Sequence, residues 1–398
     1  MATNNSFLNQ VTIIGLGLIG SSLARILRDN HLARRIIGCS HSPETLAKAK
    51  ELELIDAGTL IAADAVKRSE MVILCTPLST YSTIAAQIAP TLKMGAILTD
   101  VGSVKQYAID SITPYLRPGQ FFIPAHPIAG SEQSGIEAGN LQLFVDKKVI
   151  ITPATGFHGK AACDKVTHLW EACGASVMLM KAEKHDAIYA DVSHAIQMIA
   201  YAYALSIEEG HAALICQQAD VIFQQFIRLS ASEPIMWRDI TIANREAIIK
   251  AIKHFINELR KLLSLPITDL LERCADQSMM REKLGNTELP IKRSYSEDNP
   301  YFASAVALPI LIASGALSAF TDTDFAGSGF RSLTAPMLNY HALTATRLTQ
   351  HQSAIHNAGE RFLTQLEQIS NAISMGDSTL LAGYFTAANN AHKELSNH

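Results

Sequence analysis

A histidine, two serines and two carboxylates lie close together in a stretch rich in glycine and proline. Residues 126–139 read HPIAGSEQSGIEAG. Segments of this composition form loops, and loops on a rigid scaffold often carry reactive groups. Because imidazole titrates near neutral pH, His126 could exchange a proton with a substrate hydroxyl. Ser131 and Glu132 are predicted to line the mouth of this site, although Glu132 could instead be a carboxylate that favours a helix N-terminus.

A second polar segment is predicted to reach the same place. Residues 100–105 read DVGSVK and follow an apolar run, just as His126 follows the apolar run Phe121–Ile123. In an open α/β sheet, ligands bind at the carboxyl ends of the strands. A lone histidine is more often structural than catalytic, but this position favours a catalytic role. Ser103 is then expected to hold either the substrate hydroxyl or the imidazole of His126.

A glycine-rich loop near the start of the chain indicates a dinucleotide cofactor. Residues 15–20 read GLGLIG, follow an apolar run and open an Ala/Leu-rich helical segment. In this context Gly15 allows a tight turn, Gly17 lets the backbone approach a pyrophosphate, and Gly20 lets the helix pack closely on the strand. The amides at the helix start then face the phosphates. The predicted cofactor-binding positions of this loop are Gly15, Gly17, Leu18, Ile19 and Gly20.

The sequence leaves the choice between NAD and NADP open. The residue that recognises the ribose is expected about twenty residues beyond the loop, at the end of the second strand. That residue is Ser40, followed by His41. Ser40 lacks the carboxylate that would select NAD, and His41 could meet a 2′-phosphate; Ser40 could equally cap the next turn. Thr76, Pro77 and Asp100 are also expected near the cofactor, because each follows or ends a predicted strand.

The elements that must position these residues follow from the apolar pattern. Up to about residue 150, short apolar runs alternate with segments long enough for crossover helices, which is typical of a doubly wound parallel α/β sheet. The predicted strands are Val11–Ile14, Ile36–Cys39, Met71–Cys75, Ala96–Thr99, Phe121–Ile123, Val149–Ile151 and Ala175–Met180. From Ala182 onward the pattern is helical only. We therefore predict an α/β Rossmann domain over 1–180, followed by all-α domains over 181–290 and 291–398, joined by a polar linker at 285–300.

The last hundred residues resemble an earlier helical segment, residues 185–265. Setting Phe330 against Phe223 without a gap pairs Phe362 with Phe255 and Leu366 with Leu259. After a small gap upstream, Leu308 falls against Ala195. Any two amphipathic helices can be matched in this way, so coincidence is the alternative, but the match favours a duplicated helical part. The first copy contains a predicted helix over 244–263 with a stripe of apolar residues at helical spacing.

Composition bounds the class of protein. The chain has 398 residues, of which 48% are hydrophobic and 18% charged, with a formal net charge of −4, so a nucleic-acid-binding surface is not expected. Six scattered cysteines without a CxxC pair suit reduced thiols in a cytoplasmic protein and predict neither a zinc site nor disulfides.

The first ten residues lack the apolar core of a signal peptide. Residues 303–320 are apolar enough to span a membrane, but Ser, Gly and Pro interrupt them, which favours a buried helix pair or one long core helix.

Taken together, the motifs resemble the prephenate/arogenate dehydrogenase (TyrA) family over roughly residues 10–265. The similar segments are GLGLIG at 15, DVGSVK at 100, HPIAGSEQSG at 126, HD at 185, SH at 193 and EPIMWRD at 233. The resemblance implies a Rossmann domain and a helical dimerisation domain of the 6-phosphogluconate-dehydrogenase-like type. It also implies oxidative decarboxylation of prephenate to 4-hydroxyphenylpyruvate, or of arogenate to tyrosine, in tyrosine biosynthesis, with hydride transfer to NAD or NADP and no metal.

The resemblance also implies roles for particular residues. The family's catalytic histidine falls on His126 and its helper serine on Ser103. The arginine that binds a substrate carboxylate falls on Arg228, which without the family match would be read as part of an ion pair. Trp237 falls on an aromatic residue that closes the site, although core packing is its plainer interpretation. His194 belongs to the predicted substrate-binding set.

The chain departs from the family at informative positions. At the position of the second histidine of the family's SHLPH segment, this chain has Gln197. Gln197 is also placed in the substrate-binding set, and this difference bears on substrate choice. In the second helical copy, the positions that match His194 and Arg228 are Ala307 and Ala335. We therefore expect one active site per chain. The chain is expected to form either a homodimer or an internal pseudo-dimer, in which the second copy packs on the first.

Two other interpretations stay open at this stage. Another β-hydroxyacid-type dehydrogenase would share the Rossmann and helical parts, but such enzymes usually use a helix-borne lysine, and no strong candidate stands in the helical half. A non-catalytic dinucleotide-binding regulator would explain Gln197 and the missing ribose carboxylate. Intact His126, Ser103 and Arg228 argue against it.

Overall fold

The computed structural model describes residues 7–130, 133–154, 159–207, 215, 221–285 and 301–396. The chain forms two compact units, Met1–Asp186 and Ala187–His398. The two helical domains predicted over 181–290 and 291–398 thus belong to a single compact unit. Ser131, Glu132 and all but the first residue of the predicted linker lie outside the described residues.

The first unit is built on a six-stranded parallel sheet with the order β3-β2-β1-β4-β5-β6. Its strands read as nearly continuous apolar runs because helices cover both faces of a parallel sheet. This arrangement confirms the predicted Rossmann-type sheet. The pattern did not reveal β3, whose three residues include a glycine. The strands are β1 Leu8–Ile14, β2 Ala33–Cys39, β3 Ala57–Thr59, β4 Met71–Leu74, β5 Ile97–Asp100 and β6 Phe121–Ile123.

A second, three-stranded sheet carries the histidine segment. Its strands are β7 Ala125–Pro127, β8 Lys148–Ile151 and β9 Ser176–Leu179. β7 runs antiparallel to β8, and His126 pairs with Ile150. The prediction that His126 lies in a loop was therefore wrong, because its backbone belongs to strand β7. The glycines and prolines limit β7 to three residues, and its partner strand lies too far along the chain for a local pattern to reveal the pairing.

The helices of the first unit follow the strands as crossover connections. One of them, α2, begins at a capping serine, Ser42, whose hydroxyl accepts the N–H of Thr45, and has Pro43 in its first turn. The helices are α1 Leu18–Asp29, α2 Pro43–Glu51, α3 Ala62–Ala65, α4 Tyr81–Ile88, α5 Lys105–Ile112 and α6 Lys160–Ala172, with 3₁₀ turns at Leu78–Thr80 and Thr113–Tyr115. A further helix, α7 Ala182–Tyr189, runs across the division between the units.

The second unit is helical throughout its described residues. Two π-helices, Ala190–His194 and Ala303–Ala307, each lead into a long buried helix. The helices are α8 Ala195–Ser206, α9 Val221–Ile227, α10 Pro234–Ala243, α11 Arg245–Ser264, α12 Ile267–Lys283, α13 Leu308–Ala319, α14 Ser328–Thr334, α15 Ala345–Gln350, α16 Gln352–Met375 and α17 Ser378–Ser396. The 3₁₀ turns are Arg228–Ala231, Thr323–Phe325 and Ala335–Ala342.

The apolar segment 303–320 is one continuous core element. The second π-helix runs directly into α13, and all but two residues of the segment are buried. The segment is covered because α13 packs against α11 and α12. This outcome confirms the expectation of a long core helix. Within the part of the chain that the structure describes, no helix is both long and apolar enough to cross a membrane.

Close packing explains two of the three glycines in the loop between β1 and α1. Gly15 has a φ of +95°, and a Cβ built there would lie 2.5 Å from the carbonyl oxygen of Cys75. A Cβ at Gly20 would lie 2.0 Å from the carbonyl oxygen of Gly15. Both contacts are to backbone atoms, which cannot turn aside as a flexible side chain can. Gly17 is different, because a Cβ there would meet no atom within 4 Å.

This contrast gives a matched pair of variants. Gly20→Ala forces the first turn of α1 away from β1 and should lower the free energy of unfolding by about 1–3 kcal/mol. Gly17→Ala should stay within about 0.5 kcal/mol of the original protein. Chemical denaturation of the two variants measures both values, and equal stabilities would contradict the packing account.

Candidate active site

A buried ion pair lies at the end of β5. The Nζ atom of Lys105 donates to Oδ2 of Asp100 at 2.6 Å, and both side chains have no exposed surface. The same oxygen accepts the Tyr81 hydroxyl at 3.0 Å and the N–H of Gly102 at 2.9 Å. Burial lowers the pKa of Lys105, and attraction to Asp100 opposes that change. Charges buried this deeply persist only with partners of this kind.

The ion pair also forms hydrogen bonds with the backbone just before His126. Oδ1 of Asp100 accepts the N–H of Ala125 at 3.1 Å, and Nζ of Lys105 donates to the carbonyl oxygen of Ala125 at 2.7 Å. Ala125 is the residue before His126. The pair therefore holds the start of β7 from both sides and fixes where the imidazole begins. The predicted role of Asp100 in cofactor binding stays a prediction, since its carboxylate accepts hydrogen bonds from protein donors.

His126 is linked to a second histidine and through it to a carboxylate. Nδ1 of His126 lies 2.8 Å from Nε2 of His185. Nδ1 of His185 lies 2.8 Å from Oδ1 of Asp186. Asp186 also accepts the backbone N–H groups of Lys105 and Gln106, at 2.7 and 2.8 Å, at the start of α5. The linked histidines and aspartate, called the relay below, are thus anchored to the helix that follows the ion pair.

The charge states within the relay follow from its surroundings. Burial by itself would raise the pKa of Asp186, but the hydrogen bonds from His185 and from the two backbone N–H groups outweigh it and hold the pKa below its ordinary value. Asp186 is therefore an acceptor near neutral pH. Burial lowers the pKa of His185, although Asp186 opposes it, so this imidazole is neutral near pH 7.

Ser103 lies between Asp100 and Lys105, the two members of the ion pair, in the sequence. Its side chain is half-buried and makes no hydrogen bond to any of the described residues. The N–H of the preceding residue, Gly102, is held by Asp100. The same ion pair therefore holds the backbone of the residue before Ser103 and of the residue before His126. The sequence did not predict this link. Their catalytic roles stay predictions.

The start of α1 fits a phosphate group. Gly17 is the exposed N-cap of this twelve-residue helix, with no side chain capping it. The first N–H groups of a helix have no partner inside the helix, and the positive end of its dipole favours an anion. Because the space around Gly17 is open, a pyrophosphate can approach the backbone there. Leu18 and Ile19 form the first turn of the same helix.

The other predicted cofactor residues have varied placements. Ser40 is buried, and its hydroxyl accepts the N–H of Ser42 at 3.2 Å, which is the turn-capping role left open by the sequence. His41 is exposed. The hydroxyl of Thr76 lies 2.8 Å from that of Thr80, and Pro77 is exposed next to it. None of these contacts selects between NAD and NADP.

In the second unit, Arg228 begins a 3₁₀ turn that several side chains hold. Nη2 of Arg228 donates to Oγ of Ser332 at 3.1 Å. Nε2 of Gln197 donates to the carbonyl oxygen of Leu229 at 2.7 Å, and its Oε1 accepts from Ser232 at 3.4 Å. The visible contacts of Gln197 thus support the turn that carries Arg228. Its predicted contact with substrate is not tested by this geometry.

Two further predicted residues of the second unit lie next to each other. His194 is buried, its Nδ1 accepts from Nδ2 of Asn244 at 3.1 Å, and its ring lies edge-on to that of Trp237 with centroids 6.2 Å apart. The indole Nε1 of Trp237 is buried and has no hydrogen-bond partner among the described residues. A buried donor without a partner calls for one, so Trp237 can donate to a ligand.

Sequence reasoning missed several residues of this arrangement. Lys105 stood in the DVGSVK segment without an assigned role, because buried lysines are rare. His185 and Asp186 entered only as part of a motif. Asn244 gave no signal beyond its place at the start of the predicted helix. The adjacent residues His185 and Asp186, in a segment with a helical pattern, were the one local signal that could have indicated the relay.

Two family models match the chain in succession. Residues 23–179 match the prephenate dehydrogenase nucleotide-binding domain, and residues 181–272 match the prephenate dehydrogenase dimerization domain. The glycine-rich loop lies before the first match, and residues 273–398 lie after the second.

Curated relatives and solved structures agree with these models. A cyclohexadienyl dehydrogenase of Zymomonas mobilis is 36% identical over 255 residues, which are 63% of this chain and 86% of the relative. A prephenate dehydrogenase of Bacillus subtilis is 30% identical, over 65% of this chain and 70% of the relative. A crystal structure of prephenate dehydrogenase from A. aeolicus in complex with hydroxyphenyl propionate and NAD⁺ has a TM-score of 0.61 and 31% identity, over 70% of this chain and 98% of that one.

The ion pair can be tested by removing its positive member. Lys105→Met leaves the buried carboxylate of Asp100 without its cation and should lower the free energy of unfolding by about 3–5 kcal/mol. Lys50→Met changes an exposed lysine of α2 and should stay within about 0.5 kcal/mol. Denaturation curves compare the two, and a Lys105→Met protein as stable as the control would refute the central role of the pair.

Proposed function

Since this chain belongs to the prephenate dehydrogenase family, we propose that it catalyses the oxidative decarboxylation of prephenate or arogenate with NAD or NADP. The observation that carries the proposal is the relay, because it leaves one nitrogen of His126 in the state a general base needs. The named activities of the Zymomonas and Bacillus relatives support the substrate class. The NAD⁺ in the A. aeolicus structure supports the cofactor class.

The protonation pattern of the relay runs from the carboxylate outward. Asp186 accepts, so His185 carries its proton on Nδ1 and presents the lone pair of Nε2. That lone pair accepts a hydrogen bond, so His126 donates to it from Nδ1. The lone pair of His126 then lies on Nε2. A neutral imidazole in this tautomer can accept the proton of a substrate hydroxyl.

The other residues of the first unit bind and orient. Ser103 donates or accepts a hydrogen bond at the same hydroxyl, which places the hydroxyl proton toward His126. The backbone at Gly17 and the start of α1 holds the pyrophosphate of the dinucleotide. When bound, the nicotinamide supplies the acceptor for the hydride from the ring carbon that bears the hydroxyl. Hydride loss and removal of the hydroxyl proton by His126 give a ring ketone. The ring carboxylate then leaves as carbon dioxide, its bonding electrons complete the aromatic ring as a phenolate, and His126 returns the proton to the phenolate oxygen.

The substrate's charged groups are assigned to the second unit. Arg228 pairs with a carboxylate, for which the planar guanidinium is suited. The unpartnered indole N–H of Trp237 supplies a further donor. His194 and Gln197 shape this set from the π-helix and α8. Ser131 and Glu132, which were assigned to the same set, lie outside the described residues.

We also place the enzyme in the cytoplasm. Support comes from five cysteines that are free thiols in the described residues, as a reducing compartment maintains them. Burial raises the pKa of Cys39 to about 11, so this thiol is inert. A different β-hydroxyacid-type dehydrogenase and a regulator without turnover are not favoured, because both family models match and the relay is complete.

The assay that tests the function uses the full chain. Prephenate and arogenate are each supplied with NAD⁺ and with NADP⁺, and the absorbance of the reduced cofactor is followed together with carbon dioxide release. At least one pairing should turn over. His126→Asn should lose about 10²–10⁴-fold in turnover while cofactor binding, measured by fluorescence titration, is retained. A protein that reduces neither cofactor with either substrate would end the proposal.

The relay makes its own prediction about pH. Asp186→Asn replaces a carboxylate that accepts three donors with an amide that has one acceptor, so turnover should fall about 10²-fold or more. A carboxylate favours the protonated form of the linked imidazoles, so its loss lowers their pKa and moves the acid limb of the kcat–pH profile to lower pH. Asp110→Asn, on the exposed face of α5, is the control. An acid limb that stays in place would contradict the relay.

A further inference from the structure

We infer that residues 301–396 act as a built-in partner subunit for the preceding helical repeat, and that they position the turn that carries Arg228. The first repeat, residues 187–285, holds the predicted substrate-binding side chains. The second repeat supplies Ser332, Asn389 and His392 to the Arg228 turn. The inference rests on the proposed function, because it takes Arg228 as the group that binds the substrate carboxylate.

Within the described residues, the two repeats share a series of elements in the same order, although the second has an additional 3₁₀ turn, Thr323–Phe325, before its seven-residue helix. Each begins with a five-residue π-helix that runs into a twelve-residue buried helix, α8 in the first and α13 in the second. A seven-residue helix follows in each, α9 or α14, and then a 3₁₀ turn. Since π-helices are rare, their recurrence at equivalent positions supports duplication over coincidence.

The packing between the repeats is reciprocal. Helix α8 of the first repeat packs on α16 of the second, and α13 of the second packs on α11 of the first. Likewise, α17 packs on α8, and α12 packs on α13. In a two-fold pair, each contact between elements i and j is matched by one between j and i. The repeats therefore pack as two subunits of a symmetric dimer would.

One residue pair lies where a two-fold axis requires equivalent residues to meet. Phe255 of α11 and Phe362 of α16 occupy matching positions in the sequence alignment of the repeats. Their rings are in edge-to-face contact, with centroids 6.2 Å apart. Helices α11 and α16 pack against each other along this line. An equivalent residue touching its own counterpart is the mark of an isologous interface.

Only the first repeat keeps the polar groups of the predicted site. Ala307 stands at the position of His194, and Ala335 at that of Arg228; both alanines are fully buried. At these two positions the second repeat has therefore kept buried packing residues and lost the polar side chains of the first repeat. It serves the site as a support and not as a second site.

The support consists of hydrogen bonds from side chains of the second repeat onto this one turn. Oγ of Ser332 accepts from Nη2 of Arg228 at 3.1 Å. Nδ2 of Asn389 donates to the carbonyl oxygen of Ala231 at 2.8 Å. Nδ1 of His392 lies 3.2 Å from the hydroxyl of Ser230. The guanidinium and the last two residues of its turn are thus held from the second repeat.

The family comparison identifies the face that the second repeat covers. The model that matches residues 181–272 is described as a dimerization domain. In this chain the helices of that region pack on residues 301–396, which lie beyond the match. A segment of the same chain thus packs on helices of the region that the family model describes as a dimerization domain.

The first test measures particle mass and activity together. Light scattering of the full chain should give a single species of about 43.2 kDa, the mass of one chain. Specific activity should not change on dilution, since the support of Arg228 is intramolecular. A species of twice that mass, or an activity that falls on dilution, would overturn the built-in-partner inference.

The second test measures the support of Arg228. Ser332→Ala should raise the KM for the substrate about 3- to 10-fold with little change in kcat, and Ser332→Thr, which keeps a hydroxyl, should restore most of the loss. Ser328→Ala, at an exposed position of the same helix, is the matched control. If Ser332→Ala does not fold, Asn389→Ala makes the same test with the same expected rise in KM.

The outcomes separate this inference from the proposed function. An original protein that turns over neither substrate would refute the function. An active protein whose KM is unchanged by Ser332→Ala, or changed as much by Ser328→Ala, would refute the positioning role alone.

Discussion

The arrangement in the first unit depends on one buried charge pair, Lys105 with Asp100. Neither side chain reaches solvent, and each also forms a hydrogen bond with the backbone of Ala125. Burying two charges is costly unless they are paired and hydrogen-bonded, so this geometry admits little variation. Because Ser103 lies between the pair and His126 follows Ala125, the constraint is passed to both proposed catalytic residues.

The relay also orients the imidazole of His126. Asp186 is itself held by the N–H groups that open α5, so the carboxylate, the two imidazoles and the ion pair form one connected set. Each hydrogen bond fixes which nitrogen of the next imidazole carries the proton. In the proposed mechanism, the nitrogen of His126 that accepts the proton is thus determined by a carboxylate that does not touch it. A dehydrogenase needs this state of its base before the hydroxyl proton can leave.

The sequence was informative where the signal is local. Apolar runs located the parallel strands, and the glycine spacing located the turn before α1. The HPIAG segment singled out His126, whose catalytic role stays a prediction, but it did not reveal the backbone, since a three-residue strand pairs with residues more than twenty positions away. His185 lies 59 positions from His126, and the burial of Lys105 contradicts the usual exposure of lysine. Contacts of this range leave no periodic trace in a sequence.

The protonation state of His126 is the central claim, and ¹⁵N nuclear magnetic resonance of the imidazole nitrogens tests it most directly. At neutral pH, with Asp186→Asn as the reference, the account predicts that His126 and His185 both carry their proton on Nδ1, with Nε2 unprotonated. The reference should lose this pattern. A proton on Nε2 of His126 in the original protein would contradict the account.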